Sequence, residues 1–129
     1  MAAALTLLSI VELGGYPDFA DLYQRKGYEV SVASSMRKAM KLLKKLQPDV
    51  IVAEFNFQSD FRDRTSSLES LMATVAQLKK PAKVIVFYEA EQRAQLARLL
   101  AVFEVFETLP FPVLEAQLSH TLEQVLQEN

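Results

Sequence analysis

The residues able to do chemistry in this chain are few. There is no cysteine, which removes disulfides, thiolate nucleophiles and sulfur-ligated metals together. His120 is the one histidine. Alone it cannot build a metal site, and no nucleophile stands in sequence to pair with it, so it is expected at a helix surface or boundary. Ser34 and Ser35 precede a helical pattern and are better caps than nucleophiles. The three glycines, Gly14, Gly15 and Gly27, make neither a GxGxxG fingerprint nor a phosphate loop. Oxygen donors remain: Glu12, Glu54, Asp60 and Asp63 are of the kind a hard divalent cation takes, although Glu12 and Glu54 alone would make a thin site. Arg37, Lys38, Lys41, Lys44 and Lys45 would form the outer side of one helix, a solvated face or a docking patch for an acidic partner.

The elements that must position these groups alternate along all 129 residues. Apolar, β-branched runs at Leu5–Glu12, Tyr28–Ala33, Val50–Phe55 and Lys83–Tyr88 predict strands, with a short fifth at Phe103–Glu107. Helical spacing predicts helices over 18–26, from 36 to 46, from 68 to 78, over 91–102 and over 113–127. The first begins after Pro17 and stops at Gly27. Residues 56–66 are polar and aperiodic, which predicts a loop. Strict alternation with apolar central strands implies one α/β domain over residues 1–129, a parallel sheet covered by helices on both faces.

A net charge of −2 argues against a general nucleic-acid binder. The apolar opening lacks a basic start and runs into Glu12, so it is expected to be a buried strand and not a signal peptide. No stretch approaches the roughly 18 apolar residues of a membrane span. The expectation is a cytoplasmic protein without a membrane partner.

In an open parallel sheet ligands sit beyond the carboxyl ends of the strands. Those positions are Glu12 and Leu13, Glu54 and Phe55, Tyr88 and Glu89, and Thr108 and Leu109. Here Pro48-Asp49-Val50-Ile51-Val52 leads into the acidic Glu54, Val84-Ile85-Val86 lies on the fourth strand, and Thr108-Leu109-Pro110-Phe111 follows the fifth. With these features the chain resembles, along essentially its full length, the receiver domains of bacterial two-component response regulators. The resemblance implies a three-layer, flavodoxin-like fold with strand order 2-1-3-4-5. It also implies an acidic pair that holds Mg²⁺, an Asp that accepts the phosphoryl group, a Thr or Ser, and a Lys.

Laid on this sequence, the acidic pair becomes Glu12 and Leu13, the acceptor Glu54, the Thr or Ser Tyr88, and the Lys Leu109. Glu is one methylene longer than Asp, Tyr is too bulky to donate from the same place, and Leu removes the cation. The expected protein is therefore a degenerate pseudo-receiver: no enzyme, no cofactor, no bound metal, and a signalling role through phosphorylation-independent protein binding. A phospho-accepting regulator with an unconventional site, using Glu54 or a neighbouring acid, is one alternative. A flavodoxin-like binder of a small ligand is another.

The segment Leu96–Phe106 carries more apolar residues than one short helical stripe and an edge strand can bury, and such surplus marks an interface. Leu96, Leu99, Leu100, Phe103 and Phe106 are thus the expected contacts for a protein partner or a homodimer. The resemblance places partner binding on this fourth-helix, fifth-strand and fifth-helix face, with Phe106 at the family's switching aromatic.

Overall fold

The computed structural model describes residues 5–11, 19–55, 67–78 and 82–128. Five parallel strands, β1 (Leu5–Ile10), β2 (Tyr28–Ala33), β3 (Val50–Glu54), β4 (Lys83–Tyr88) and β5 (Glu107–Pro110), form one sheet in the order β2-β1-β3-β4-β5. Between and after them run α1 (Ala20–Arg25), α2 (Met36–Leu46), α3 (Ser67–Ala76), α4 (Arg93–Leu100) and α5 (Glu115–Glu128). A single 3-10 turn at Ala90–Gln92 leads into α4. The expected three-layer arrangement and strand order are both present.

Every residue of β3 is buried, because successive side chains alternate between two covered faces. On one face Leu8, Ile51, Val84 and Val86 pack against Ala39 and Leu43 of α2, Leu71 and Met72 of α3, and Leu96 and Leu99 of α4. On the other, Leu7, Val50, Val52, Ile85, Phe87 and Leu109 pack against Leu22 and Tyr23 of α1 and Leu118, Leu122 and Val125 of α5. Exposed ion pairs join the two helices of this second face, Arg25 to Glu115 at 2.8 Å and Lys26 to Glu123 at 2.6 Å. The Lys26 ammonium holds the Glu123 carboxyl below its usual range.

Local chemistry sets the boundaries. Ser35 accepts the Lys38 backbone N–H and caps α2. Gln47 closes that helix in the left-handed region at φ 48°, and Pro48 then prevents its continuation. Gly27 turns the chain from α1 into β2 at φ 94°, where a side chain would be strained. Asp49 locks the amino ends of three strands. Its carboxylate accepts the Thr6 N–H at 2.9 Å, its own N–H reaches the Thr6 carbonyl at 2.9 Å, and its carbonyl accepts from Lys83. The Pro48-Asp49 pair is thus a register clamp.

Three expected boundaries move. The fifth strand is Glu107–Pro110, not Phe103–Glu107. Phe103 and Val105 pack on the α2–α4 side and Phe106 on the α1/α5 side, as the connection crosses the sheet end before pairing begins. Pro110 is tolerated because β5 is an edge strand, where its missing N–H deprives no neighbour. Strand β1 ends at Ile10, α1 begins at Ala20, and the 56–66 loop lies outside the described residues.

Tyr28 is 4% exposed and donates its hydroxyl to the Leu122 carbonyl at 3.0 Å, tying β2 to α5. Burial, with the nearby Asp49 charge, pushes its phenol up to about 12. The folded pKa lies above the unfolded value, so the neutral phenol stabilises the fold below pH ~10 and that contribution disappears as pH rises through about 12. In urea unfolding, Tyr28→Phe should cost about 1 kcal/mol at neutral pH and flatten the loss of stability between pH ~10 and ~12.

Candidate functional site

The carboxyl ends of the central strands bring Ser9, Glu54, Phe87 and Leu109 onto the α1/α5 side of the sheet. Ser9 pairs with Val32 on one side and Val52 on the other. Glu54 pairs with Phe87, and Phe87 with Leu109, so these three stand in a row across β3, β4 and β5. Alternation along β3 puts Glu54 on the same face as Val50 and Val52. Its side chain, 3% exposed, lines a cleft of about 350 Å³ together with Ser9, Phe19, Tyr23, Val52 and Phe87. Phe19 packs edge to face against Phe87, with ring centroids 6.1 Å apart and planes at 76°. Val11 and Val32, 38% and 58% exposed, form the outer lip of the cleft.

Tyr88 is on the other face. It is 8% exposed, joins the core cluster of α2, α3 and α4, and carries the Arg93 guanidinium 6.0 Å from its ring centroid. Glu54 and Tyr88 therefore do not converge on one point. Leu109, expected just beyond β5, lies within that strand and is 6% exposed in the α1/α5 core. Phe111 is the residue that follows the strand. Its N–H reaches the Tyr88 carbonyl at 2.8 Å, and the Phe111–Pro112 peptide is cis. Glu12, Leu13, Asp60 and Asp63 lie outside the described residues. Among the described residues, no three His, Cys, Asp or Glu side chains stand close enough to hold a metal ion.

The expected interface residues divide. Leu96 and Leu99 are 3% and 4% exposed in the α2–α4 core, which corrects their assignment to a contact surface. A helix packed on a sheet needs its inward stripe, and both belong to it. Leu100 is 39% exposed and the neighbouring Val102 73%, while Phe103 and Phe106 are half-buried. His120 is exposed on α5, and Arg37, Lys38, Lys41, Lys44 and Lys45 are exposed on α2. Among the described residues no helix is long and apolar enough to cross a membrane.

Phe19, Tyr23 and Phe87 escaped the sequence reading as site residues, since each looks like ordinary core. Ser9 carried a usable signal: it interrupts the apolar face of β1 that Leu5 and Leu7 begin.

No family model and no curated protein matches the sequence. Solved structures do match in three dimensions. A response regulator receiver domain protein from Clostridium thermocellum aligns at a TM-score of 0.73 with 18% identity, over 96% of this chain and 95% of that one. A response regulator receiver protein from Sinorhizobium medicae aligns at 0.70 with 20% identity, over 96% and 95%. The inactive form of the regulatory domain from the repressor of iron transport regulator aligns at 0.73 with 13% identity, over 97% of each chain. At these identities the likeness shows the fold, and that fold is the one found in response regulator receiver domains.

Proposed function

We propose that this chain is a receiver-fold signalling module that acts by binding a protein partner and does not accept a phosphoryl group. One observation carries the reading: on the face that carries Glu54, the residues in its row are Phe87 and Leu109, while Tyr88 faces the other way. Glu54 lines the α1/α5 side, whereas Tyr88 is packed into the α2–α4 core beneath Arg93. Phosphoryl transfer is mostly positioning plus charge stabilisation, and neither Phe87 nor Leu109 can supply a hydroxyl or a positive charge in that row. Leu109 supports the same conclusion, being an apolar core residue where the resemblance calls for a cation. In this reading Glu12 and Leu13 complete the degenerate site.

The contact surface is the outer end of α4 and the connection into β5, formed by Leu100, Val102, Phe103 and Phe106. An exposed valine beside half-buried aromatics is the anatomy of an interface centre, where apolar side chains gain from exclusion of water. A second copy is the simplest partner for it.

Incubation with acetyl phosphate and Mg²⁺, followed by intact-mass spectrometry, should show no added phosphoryl group on folded protein. Incorporation at Glu54 or a neighbouring acid would establish the unconventional phospho-accepting regulator instead. In sedimentation velocity the chain should self-associate with rising concentration. Val102→Asp should abolish that association and leave the circular dichroism unchanged, whereas association that survives in a folded Val102→Asp variant would exclude this face. Leu99→Ala should instead lower stability by about 2–5 kcal/mol in urea unfolding, as a core truncation does.

A further inference from the structure

Partner binding through α4 and β5 leaves the basic face of α2 without a role. We propose that this face docks a short acidic segment of a partner protein, with Lys41 at the centre of the contact. The inference goes beyond the α4–β5 reading and does not depend on it.

Helix α2 carries Arg37, Lys38, Lys41, Lys44 and Lys45 within eleven residues and has no Asp or Glu. At ~100° per residue the five fall within an arc of about 120°. Ala39 and Leu43, fully buried, mark the opposite side of the helix, so the cations point outward. All five are exposed. Among the described residues no carboxylate forms an ion pair with any of them. The Lys38 ammonium donates to the Ser34 hydroxyl at 3.1 Å, which leaves its charge unbalanced.

The needs of the helix do not account for this pattern. Lys44 and Lys45 lie in the last turn, where the helix dipole favours cations. Arg37 and Lys38 lie in the first turn, where it opposes them, and that turn has no acid. Lys41 stands one turn from four other cations, Arg37 and Lys38 before it and Lys44 and Lys45 after it. Like charges at this spacing destabilise a helix. The face therefore lowers the stability of the free domain, and acidic side chains laid over it would relieve the repulsion.

A short protein segment fits this face better than a bilayer or a duplex does. An eleven-residue helix is about 16 Å long. Among the described residues no exposed large apolar side chain lies on α2, so the helix offers no anchor for a bilayer. Outside α2 the remaining nine Lys and Arg stand against all sixteen Asp and Glu. An extended polyanion would meet those acids beyond the helix, whereas a run of a few acidic residues contacts α2 alone.

The test is isothermal titration calorimetry on the full chain at neutral pH and low salt. The probes are hexaglutamate, vesicles of phosphatidylserine and phosphatidylcholine, and a short DNA duplex. Hexaglutamate should bind, and added salt should weaken it; the vesicles and the duplex should bind at least about tenfold more weakly. Lys41→Glu should lower hexaglutamate affinity at least about tenfold and raise the urea midpoint, because it turns four repulsions into four attractions. Arg98→Glu makes the same change in net charge at an exposed position of α4 and should leave the affinity unchanged. The proposal is overturned if hexaglutamate does not bind, or if the vesicles or the duplex bind as tightly. It is equally overturned if a folded Lys41→Glu variant retains full affinity, or if Arg98→Glu loses as much. Should Lys41→Glu fail to fold, Lys45→Glu is read in the same way.

Discussion

The reciprocal hydrogen bonds between Thr6 and Asp49 set the register of β1 against β3, and the rest of the architecture follows from that register. A parallel pair slipped by one residue would exchange the side chains of its two faces. With the register held, Leu8 and Ile51 turn together toward α2 and α3, while Leu7, Val50 and Val52 turn toward α1 and α5. Asp49 also receives the Lys83 N–H, so the same residue starts β4 in step with β3. The central strands are buried on both faces, and a shift there would strand apolar groups on one side and Glu54 and Ser9 on the other.

That division into two faces governs the chemistry as well as the packing. The α2–α4 side is a continuous hydrophobic core into which Tyr88 has been drawn, with Arg93 over its ring. On the α1/α5 side, α1 is only six residues long, and the cleft beside its start holds the buried Glu54. A short helix covers less sheet than a long one, since each residue adds about 1.5 Å. Cover on that face is supplied farther along by α5, whose Leu118, Leu122 and Val125 are fully buried. The hydrogen bond from Tyr28 to Leu122 and the ion pairs of Arg25 and Lys26 hold α5 against the sheet and α1. Exposed pairs of this kind contribute little individually, so the apolar stripe is the main attachment.

Much of the element pattern was legible in the residues. Val50–Glu54 and Lys83–Tyr88 are short apolar runs too brief for helices, and Ala39 and Leu43 recur at helical spacing behind the Ser35 cap. The fifth strand was misplaced because Phe103, Val105 and Phe106 have the composition of a strand. Their apolar character instead serves a connection that packs against both cores in turn. Leu96 and Leu99 were misread for a related reason: counting apolar residues reveals an excess but does not say which of them face inward.

The sequence by itself determined the alternation of strands and helices, the apolar character of the central strands, and the residue types at the strand ends, including Glu54, Tyr88 and Leu109. These are properties of local periodicity and of single side chains, which survive without knowledge of what packs where. Tertiary structure alone decided that Glu54 and Tyr88 lie on opposite faces, that Leu109 is a core residue, and that Ser9, Phe19, Tyr23 and Phe87 meet around one cleft. Those residues are far apart along the chain, and their meeting depends on strand pairing and helix placement, which no local pattern encodes.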